Sequence, residues 1–264
     1  MTPNQNMLSK MLNLLRNKNE YGWFGRYDSW EEAQTLCSGY DSHHIAERVK
    51  EALLKVKRGE AAFERDSVAF EKPEYIWPVL AGLLWSAALK GGKVNVLDFG
   101  GSLGSSYFQY SRFLENLSVN WSVIEQELFV AYGKKYFEDQ RLTFYTTVDD
   151  YASDRKADVM LLSSVLPYLP NPYAVLGRLL ELDVPLVIFD KMPFLIDGEK
   201  DIITIQKVPP AIYEASYPAW FFNEKKFLEF LGRKYDVVAE FPDDDTANVP
   251  SVFKGIIAKL KPTT

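Results

Sequence analysis

Hydrophobic positions have two different spacings along this chain, and the spacing changes near residue 93. Before it, apolar residues recur every three to four positions, and residues 45–56 place them on one face opposite charged side chains, as in an amphipathic helix. After it, short β-branched runs alternate with segments of helical spacing. The pattern therefore divides the chain into an N-terminal helical region, 1–92, and a larger α/β region, 93–264.

The α/β region opens with five short apolar runs that predict buried strands. They span residues 94–99, 120–124, 142–147, 159–163 and 186–189, with helical segments at 107–116, 128–138 and 172–182 between them. Strands and helices in alternation predict a parallel sheet that is covered on both faces. Two further predicted strands, 235–241 and 252–260, are separated only by a short acidic loop, so we expect them to pair as an antiparallel hairpin.

Composition and charge narrow the kinds of partner. The 264 residues are 47% hydrophobic and 14% aromatic, which excludes a disordered chain. A formal charge of -6 argues against a nucleic-acid binder, which needs Lys and Arg to neutralise phosphates, and leaves small molecules, proteins or sugars. The single cysteine, Cys37, cannot form an internal disulfide or a thiolate metal site, so we expect no metal and a reducing, cytoplasmic compartment.

Two segments are apolar enough that membrane spanning or membrane contact has to be considered. The apolar stretch 76–89 contains Pro78 and is too short to span a bilayer, so we interpret it as a core helix with Pro78 in its first turn. Residues 7–18 combine leucines and methionines with three basic side chains. Such a basic amphipathic segment either makes weak contact with a membrane surface or packs on its own domain, and both interpretations stay open.

Residues 94–108 carry the strongest signal for a nucleotide-like ligand. A buried strand leads into a turn with Gly100, Gly101 and Gly104, and free N–H groups at the start of the next helix face whatever lies above the strand ends. Asp98, at the end of the strand, can orient the turn or reach a cationic amino group. Glu125 directly follows the second strand, where a carboxylate can bind the two hydroxyls of a ribose.

Residues 96–104 read Val-Leu-Asp-Phe-Gly-Gly-Ser-Leu-Gly and resemble the first motif of class I S-adenosylmethionine-dependent methyltransferases, V-L-D-x-G-x-G-x-G, with Ser102 in place of the middle glycine. Residues 162–176 are similar to the stretch that these enzymes place beside the methyl group. The resemblance covers roughly residues 90–262. It implies a Rossmann-like class I methyltransferase fold, with a mostly parallel seven-stranded sheet, a C-terminal antiparallel hairpin and an N-terminal helical cap. It also implies S-adenosylmethionine as the cofactor. The cofactor-binding residues predicted from it are Asp98, Gly100, Gly101, Ser102, Gly104, Glu125, Gln126, Val148 and Ser163.

A narrower resemblance concerns the acceptor. Residues 23–41 and 208–218 are similar to a little-characterised methyltransferase family found among bacterial surface-polysaccharide genes. That resemblance implies a sugar or glycan-precursor acceptor, O-methylation and a role in polysaccharide biosynthesis.

Candidate catalytic residues follow from their place at the strand ends. Alignment of the acceptor contributes most to methyl transfer, about 7–11 kcal/mol, and a base is needed only for a protonated nucleophile such as a hydroxyl. Asp190, just past the fifth strand, is either that base or a carboxylate that caps a loop. Tyr168 lies beyond the fourth strand, and His43 is either a base on an N-terminal lid or a residue at a helix start.

Some alternatives remain open at this point. A nicotinamide-dependent oxidoreductase would use Glu125 equally well, although Ser102 and the terminal hairpin suit it poorly. A binding module without catalysis is the second alternative. Among the aromatic residues near the end of the chain, we expect Phe221 and Phe222 in the core, whereas Tyr217 either stacks on an acceptor or packs in the core.

Overall fold

Helices and strands alternate through most of the chain in the computed structural model, which describes residues 20–38, 42–210 and 212–262. The helices are α1 Trp30–Thr35, α2 Ser42–Lys57, α3 Trp77–Leu89, α4 Ser105–Leu114, α5 Glu127–Tyr136, α6 Val148–Asp154, α7 Pro172–Leu180 and α8 Glu224–Leu231. The strands are β1 Gly22–Tyr27, β2 Phe63–Arg65, β3 Val68–Phe70, β4 Lys93–Phe99, β5 Ser118–Ile124, β6 Leu142–Tyr145, β7 Val159–Ser163, β8 Leu186–Leu195, β9 Ile202–Val208, β10 Ala215–Phe221, β11 Tyr235–Pro242 and β12 Ser251–Leu260.

A seven-stranded sheet forms the centre of the molecule, in the order β11-β12-β8-β7-β4-β5-β6. The five strands from β8 to β6 in that order are parallel, and β12 runs antiparallel to both β8 and β11. The predicted sheet and its terminal hairpin are thus confirmed. Because the parallel strands all end at the same edge, the loops that follow β4, β5, β7 and β8 meet there.

The strand β8 is longer than its sequence predicts. It continues for ten residues because β12 pairs along it from Leu186 to Leu195. The pairing shifts register between Lys254 and Ile256, and Lys191 adopts a positive φ of 58° at that place. Such a bulge redirects the side chains of a strand, and it falls on the pair formed by Asp190 and Lys191.

A second, three-stranded antiparallel sheet has the order β1-β9-β10. It joins the N-terminal part of the chain to residues 202–221. Phe221 and Phe222 are buried in this region, as expected. The helices expected around residues 45–56 and 76–89 are present, and the structure adds β1 and the hairpin of β2 and β3 to this part of the chain.

The helix α3 shows why the most apolar stretch of the chain belongs to the core. Pro78 lies in its first turn, as predicted, and Val79, Leu83 and Ala87 are almost fully buried. Gly82 leaves room for Ile188 of β8, so the helix lies close to the sheet. Within the described residues, no helix has both the length and the apolar character to cross a membrane. The segment 7–18, for which membrane contact was considered, lies outside those residues.

Candidate functional site

The glycine-rich turn after β4 is shaped by three residues in the left-handed region of φ. Gly100, Ser102 and Gly104 have φ values of 74°, 55° and 92°. A side chain at such a position costs conformational energy, which explains why the related motif has a glycine where this chain has Ser102. A Cβ atom added to Gly101 would lie within 2.5 Å of Asp98 Oδ2, so the close approach of these two residues requires a glycine at 101.

Asp98, next to the last residue of β4, is a buried carboxyl group with one side-chain donor among the described residues. The indole N–H of Trp121, on the neighbouring strand β5, donates to Asp98 Oδ2 at 3.0 Å. Burial raises the pKa of Asp98 to about 7; the Trp121 bond opposes this rise and the charge of Glu125 adds to it. Sequence reasoning did not single out Trp121, because its role depends on the register between β4 and β5.

Glu125 follows β5 and lies across the glycine-rich turn from Asp98. Its carboxylate accepts a hydrogen bond from the backbone N–H of Gln126 at 2.6 Å and one from the backbone N–H of Ser102. Burial raises the pKa of Glu125, and these two bonds oppose the rise. The carboxylate is therefore fixed beside the turn, in the position from which it can accept hydrogen bonds from vicinal hydroxyls.

A second polar group lies at the ends of β7 and β8. Ser163 and Asp190 are directly opposite each other in these strands, and Ser163 Oγ donates to Asp190 Oδ2 at 2.7 Å. The other oxygen, Asp190 Oδ1, is buried and has no hydrogen-bond partner among the residues that the structure describes. Burial raises the pKa of Asp190 to about 6, against the opposing effects of Lys191 and Ser163.

Lys191 points from the β8 bulge toward the acidic loop between β11 and β12. Its ammonium group lies 3.4 Å from the carboxylate of Asp243 and 2.5 Å from that of Asp245. The same loop holds β1, because the side-chain amide of Asn248 exchanges two hydrogen bonds of 2.7 Å with the main chain of Trp23. The acidic loop therefore connects the central sheet to the second sheet beside the site.

The hairpin of β2 and β3 lies over the start of α4. Glu64 is buried there and accepts hydrogen bonds from the hydroxyl of Ser105, in the first turn of α4, and from the backbone N–H of Ser67 at 2.8 Å. Burial raises the pKa of Glu64 to about 7, while these bonds oppose the rise. Sequence reasoning missed this hairpin, since its turn, Asp66-Ser67, lacks the glycine that usually signals one.

These groups surround one cavity of about 1020 Å³ at the carboxyl edge of the sheet. The second sheet and the β2–β3 hairpin contribute further lining residues, among them Gln206, Tyr217 and Glu64. Of the residues predicted from sequence, it is lined by Asp98, Gly100, Gly101, Ser102, Glu125, Gln126, Ser163, Tyr168 and Asp190. Three rings, Tyr168, Tyr213 and Tyr217, form one wall, with the hydroxyls of Tyr213 and Tyr217 3.1 Å apart.

Three predicted site residues are not on the cavity lining. Gly104 lies behind the turn, where a Cβ atom would meet Leu142 at 3.0 Å. Val148 packs against the core at the start of α6, and Thr146 lines the cavity near that position. His43 is exposed on α2, so the structure does not bring it to the cavity as a base. Among the described residues, no cluster of His, Cys, Asp and Glu has the arrangement to hold a metal ion.

Comparison with solved structures finds proteins with a similar fold. No protein-family model and no curated protein matches the chain. The N-terminal domain of EvdMO1, solved in the presence of S-adenosylhomocysteine and D-fucose, has a TM-score of 0.50 at 14% identity, over 84% of this chain and 98% of that one. The Burkholderia thailandensis 1,6-didemethyltoxoflavin-N1-methyltransferase has a TM-score of 0.43 at 14% identity, over 85% and 92% of the two chains. An S-adenosylmethionine-dependent methyltransferase from Clostridium acetobutylicum has a TM-score of 0.46 at 10% identity, over 69% and 90%.

The chain has the class I methyltransferase fold. The strand order and the antiparallel β12 agree with the likeness to the EvdMO1 domain. At this low identity the likeness concerns the fold alone, and the function of the site has to be argued from its residues. In this fold the glycine-rich turn, Glu125 and Asp190 share the edge at which open α/β sheets bind ligands.

Proposed function

We propose that the chain is an S-adenosylmethionine-dependent methyltransferase that acts on a small hydroxylated molecule. One observation carries the proposal: a single cavity joins the glycine-rich turn, with Asp98 and Glu125, to a buried carboxylate, Asp190, that has a free oxygen. The glycine-rich turn, with Asp98 and Glu125, suits a nucleoside cofactor. Asp190 suits the role of proton acceptor for a substrate that is aligned beside it. A binding module without catalysis would have no need of this proton acceptor.

The cofactor half fits S-adenosylmethionine by the chemistry of its donors and acceptors. In the proposal Glu125 accepts hydrogen bonds from the ribose hydroxyls, and the absence of side chains at Gly100 and Gly101 lets the ligand approach the backbone. Asp98 is a buried carboxylate that faces the cavity, with one side-chain donor and no cationic partner among the described residues, so a cationic amino group would offset its burial. S-adenosylmethionine, when bound, supplies a methyl group on a positively charged sulfur, which leaves as a neutral thioether.

Asp190 is the proposed general base. Its Oδ1 takes the proton of an acceptor hydroxyl as the hydroxyl oxygen gains the methyl group, so one negative charge on the protein and one positive charge on the cofactor disappear together. With a pKa of about 6, Asp190 is ionised at neutral pH. Its pKa is also close enough to neutral pH for the carboxylate to act as an effective base. Ser163, which holds Oδ2, orients the carboxylate.

We infer that the acceptor is a sugar or glycan precursor and that the product is an O-methyl ether. The resemblance of residues 23–41 and 208–218 to enzymes of polysaccharide gene clusters supports this inference. The three tyrosine rings of the cavity wall offer flat surfaces for the C–H faces of a sugar. The similar EvdMO1 domain was solved in the presence of D-fucose. In this proposal the region 1–92 acts as a cap on the 93–264 domain and excludes water from the acceptor side.

Titration calorimetry tests the cofactor assignment. Wild-type protein should bind S-adenosylmethionine and S-adenosylhomocysteine and prefer both to NAD⁺. Glu125→Gln should lose at least about tenfold in affinity, because a charged acceptor of hydrogen bonds is removed. Glu127→Gln is the matched control, since Glu127 lies two residues on, exposed and away from the cavity. A folded wild type that binds neither ligand, or that prefers NAD⁺, would overturn the proposal.

A further inference from the structure

The acceptor half of the cavity contains hydrogen-bond acceptors that have no donor among the described residues. Asp190 Oδ1 and Gln206 Oε1 are buried there without a partner among the described residues. Asp66 also lines the cavity, is exposed to it, and makes no hydrogen bond and no ion pair within the described part of the chain. Buried acceptors in a folded protein are normally satisfied, so a ligand that fills this space must bring donors.

Two of the three cations that line the cavity are engaged by other carboxylates. Lys191 is shared between Asp243 and Asp245, and Arg65 pairs with Glu74 at 3.8 Å. Lys207, the third cation on the lining, is exposed, lies over the ring of Phe24 and has no carboxylate partner among the described residues. A phosphorylated ligand would add negative charge beside Asp66 and Asp190, and Lys207 alone of these cations would be available to receive it.

The turn that carries Asp66 is a two-residue hairpin turn between β2 and β3. Asp66 and Ser67 have φ values of 50° and 63°, as such a turn requires at both positions, and aspartate is among the residues that tolerate this region. The conformation is fixed by Glu64, which accepts from the backbone N–H of Ser67 and from the hydroxyl of Ser105. These contacts hold the turn so that Asp66 lies on the cavity lining.

Asp66 shares its electrostatic surroundings with the tyrosine wall. Burial raises the pKa of Tyr213 to about 12 and raises that of Tyr168 and Tyr217, and the charge of Asp66 adds to the rise in all three. A carboxylate beside several aromatic faces is the combination that binds an ammonium group, through charge and through cation–π contact.

From this arrangement we infer that the methyl acceptor is an amino sugar or a related amino polyol, held by its protonated amine on Asp66 while its reacting hydroxyl donates to Asp190 Oδ1. The inference rests on the proposed methyltransferase function and specifies its substrate class. It favours methyl acceptors that carry an amine over phosphorylated ones, including nucleotide sugars, because phosphate brings hydrogen-bond acceptors and negative charge.

The test uses protein saturated with S-adenosylhomocysteine and sets of hexoses that share one skeleton. Each set contains a 2-, 3- or 4-amino hexose, its N-acetyl derivative and its 6-phosphate, and binding is followed by thermal shift and then by calorimetry. We expect one or more of the amino hexoses to bind, and their N-acetyl and phosphate derivatives to bind at least about tenfold more weakly, since a charge-assisted hydrogen bond is lost or opposed.

Two variants separate the role of Asp66 from a general effect on the fold. Asp66→Asn keeps a residue that tolerates positive φ and should weaken binding of the amino hexose at least about tenfold, with unchanged affinities for S-adenosylhomocysteine and for the N-acetyl derivative. Asp244→Asn removes an exposed carboxylate that is off the cavity lining and should change none of these affinities.

Three results would overturn the inference while the cofactor still binds. They are tighter binding of a phosphate or N-acetyl derivative than of its amine, no loss in Asp66→Asn, and no binding by any amino hexose. Failure of S-adenosylhomocysteine to bind would instead refute the proposed function, so the two failures are distinguishable.

Discussion

Replacing Asp98 by asparagine should make the ligand-free protein more stable and a poorer binder of cofactor. The asparagine would keep the shape of the side chain and an oxygen for the indole N–H of Trp121, which lies 3.0 Å from the carboxylate. It would remove a negative charge that is almost fully buried. The size of the gain depends on pH, because the burial cost applies only to the ionised form.

The pKa of Asp98 gives the magnitude of the expected gain in stability. Burial raises this pKa to about 7, whereas an aspartate in an unfolded chain has a pKa near 3.9. The folded state therefore binds the proton more tightly, and folding stability falls as the pH rises from about 4 to about 7. At about 1.4 kcal/mol per pH unit, Asp98 lowers the free energy of unfolding, relative to a side chain that stays neutral, by about 4 kcal/mol at pH 8, where it is ionised. At pH 5, where the folded protein keeps the proton, the loss is about 1–2 kcal/mol.

Urea unfolding of the wild type and of Asp98→Asn at pH 5 and pH 8, without ligand, measures the effect. The variant should gain about 2–3 kcal/mol more at pH 8 than at pH 5. Calorimetry on the same samples should show that it loses at least about tenfold in affinity for S-adenosylhomocysteine. An equal gain at both pH values, or a variant less stable than the wild type at pH 8, would refute the reasoning.

Three further predictions concern other parts of the site. Gly101→Ala sets a methyl group against the Asp98 carboxylate and should weaken S-adenosylhomocysteine binding at least about tenfold, whereas Gly177→Ala, in a helix with room for the methyl group, should keep wild-type affinity in the same titration. Asn248→Ala removes two hydrogen bonds to β1 and should lower the melting temperature in calorimetry by about 2–4 °C. An unchanged melting temperature would show that the acidic loop does not stabilise the protein through these bonds. Once an acceptor is found, the rate should rise through pH 6 as Asp190 loses its proton and stay level to pH 8, and Asp190→Asn should lower it about a hundredfold or more; a rate that falls over this range would exclude the carboxylate as base.

The central sheet and the glycine-rich turn could be predicted from sequence because their signals are local. The inner parallel strands β4, β7 and β8 are largely apolar and buried, since both faces of the sheet are covered there, and the turn at 100–104 needs glycine for reasons of backbone geometry alone. Glu125 was found in the same way, from its place directly after β5. The extension of β8 to Leu195 could not be predicted, because it depends on pairing with β12, more than fifty residues later.

The acceptor half of the site depends on contacts between distant parts of the chain, which leave little local signal. The pairing of β1 with β9 joins residues about 180 positions apart, and Gln206 becomes a buried, unpaired acceptor only through that sheet. Asp66 reaches the cavity because Glu64 bonds to Ser105 in another element. His43 shows the reverse case: its residue type suggested a base, but α2 directs it to solvent.

Three buried carboxyl groups on this cavity, Glu64, Asp98 and Asp190, have pKa values raised to about 7, 7 and 6. A core that served stability alone would not retain them, because each group lowers the stability of the empty protein as the pH rises from about 4 to its raised pKa. Asp98 and Asp190 face a space that our proposals fill with a cationic cofactor and a donor-rich acceptor, so ligand binding offsets the cost. Ligands should therefore raise the melting temperature more at pH 8 than at pH 6. The same carboxylates that destabilise the empty site thus account for its selectivity toward cations and donors.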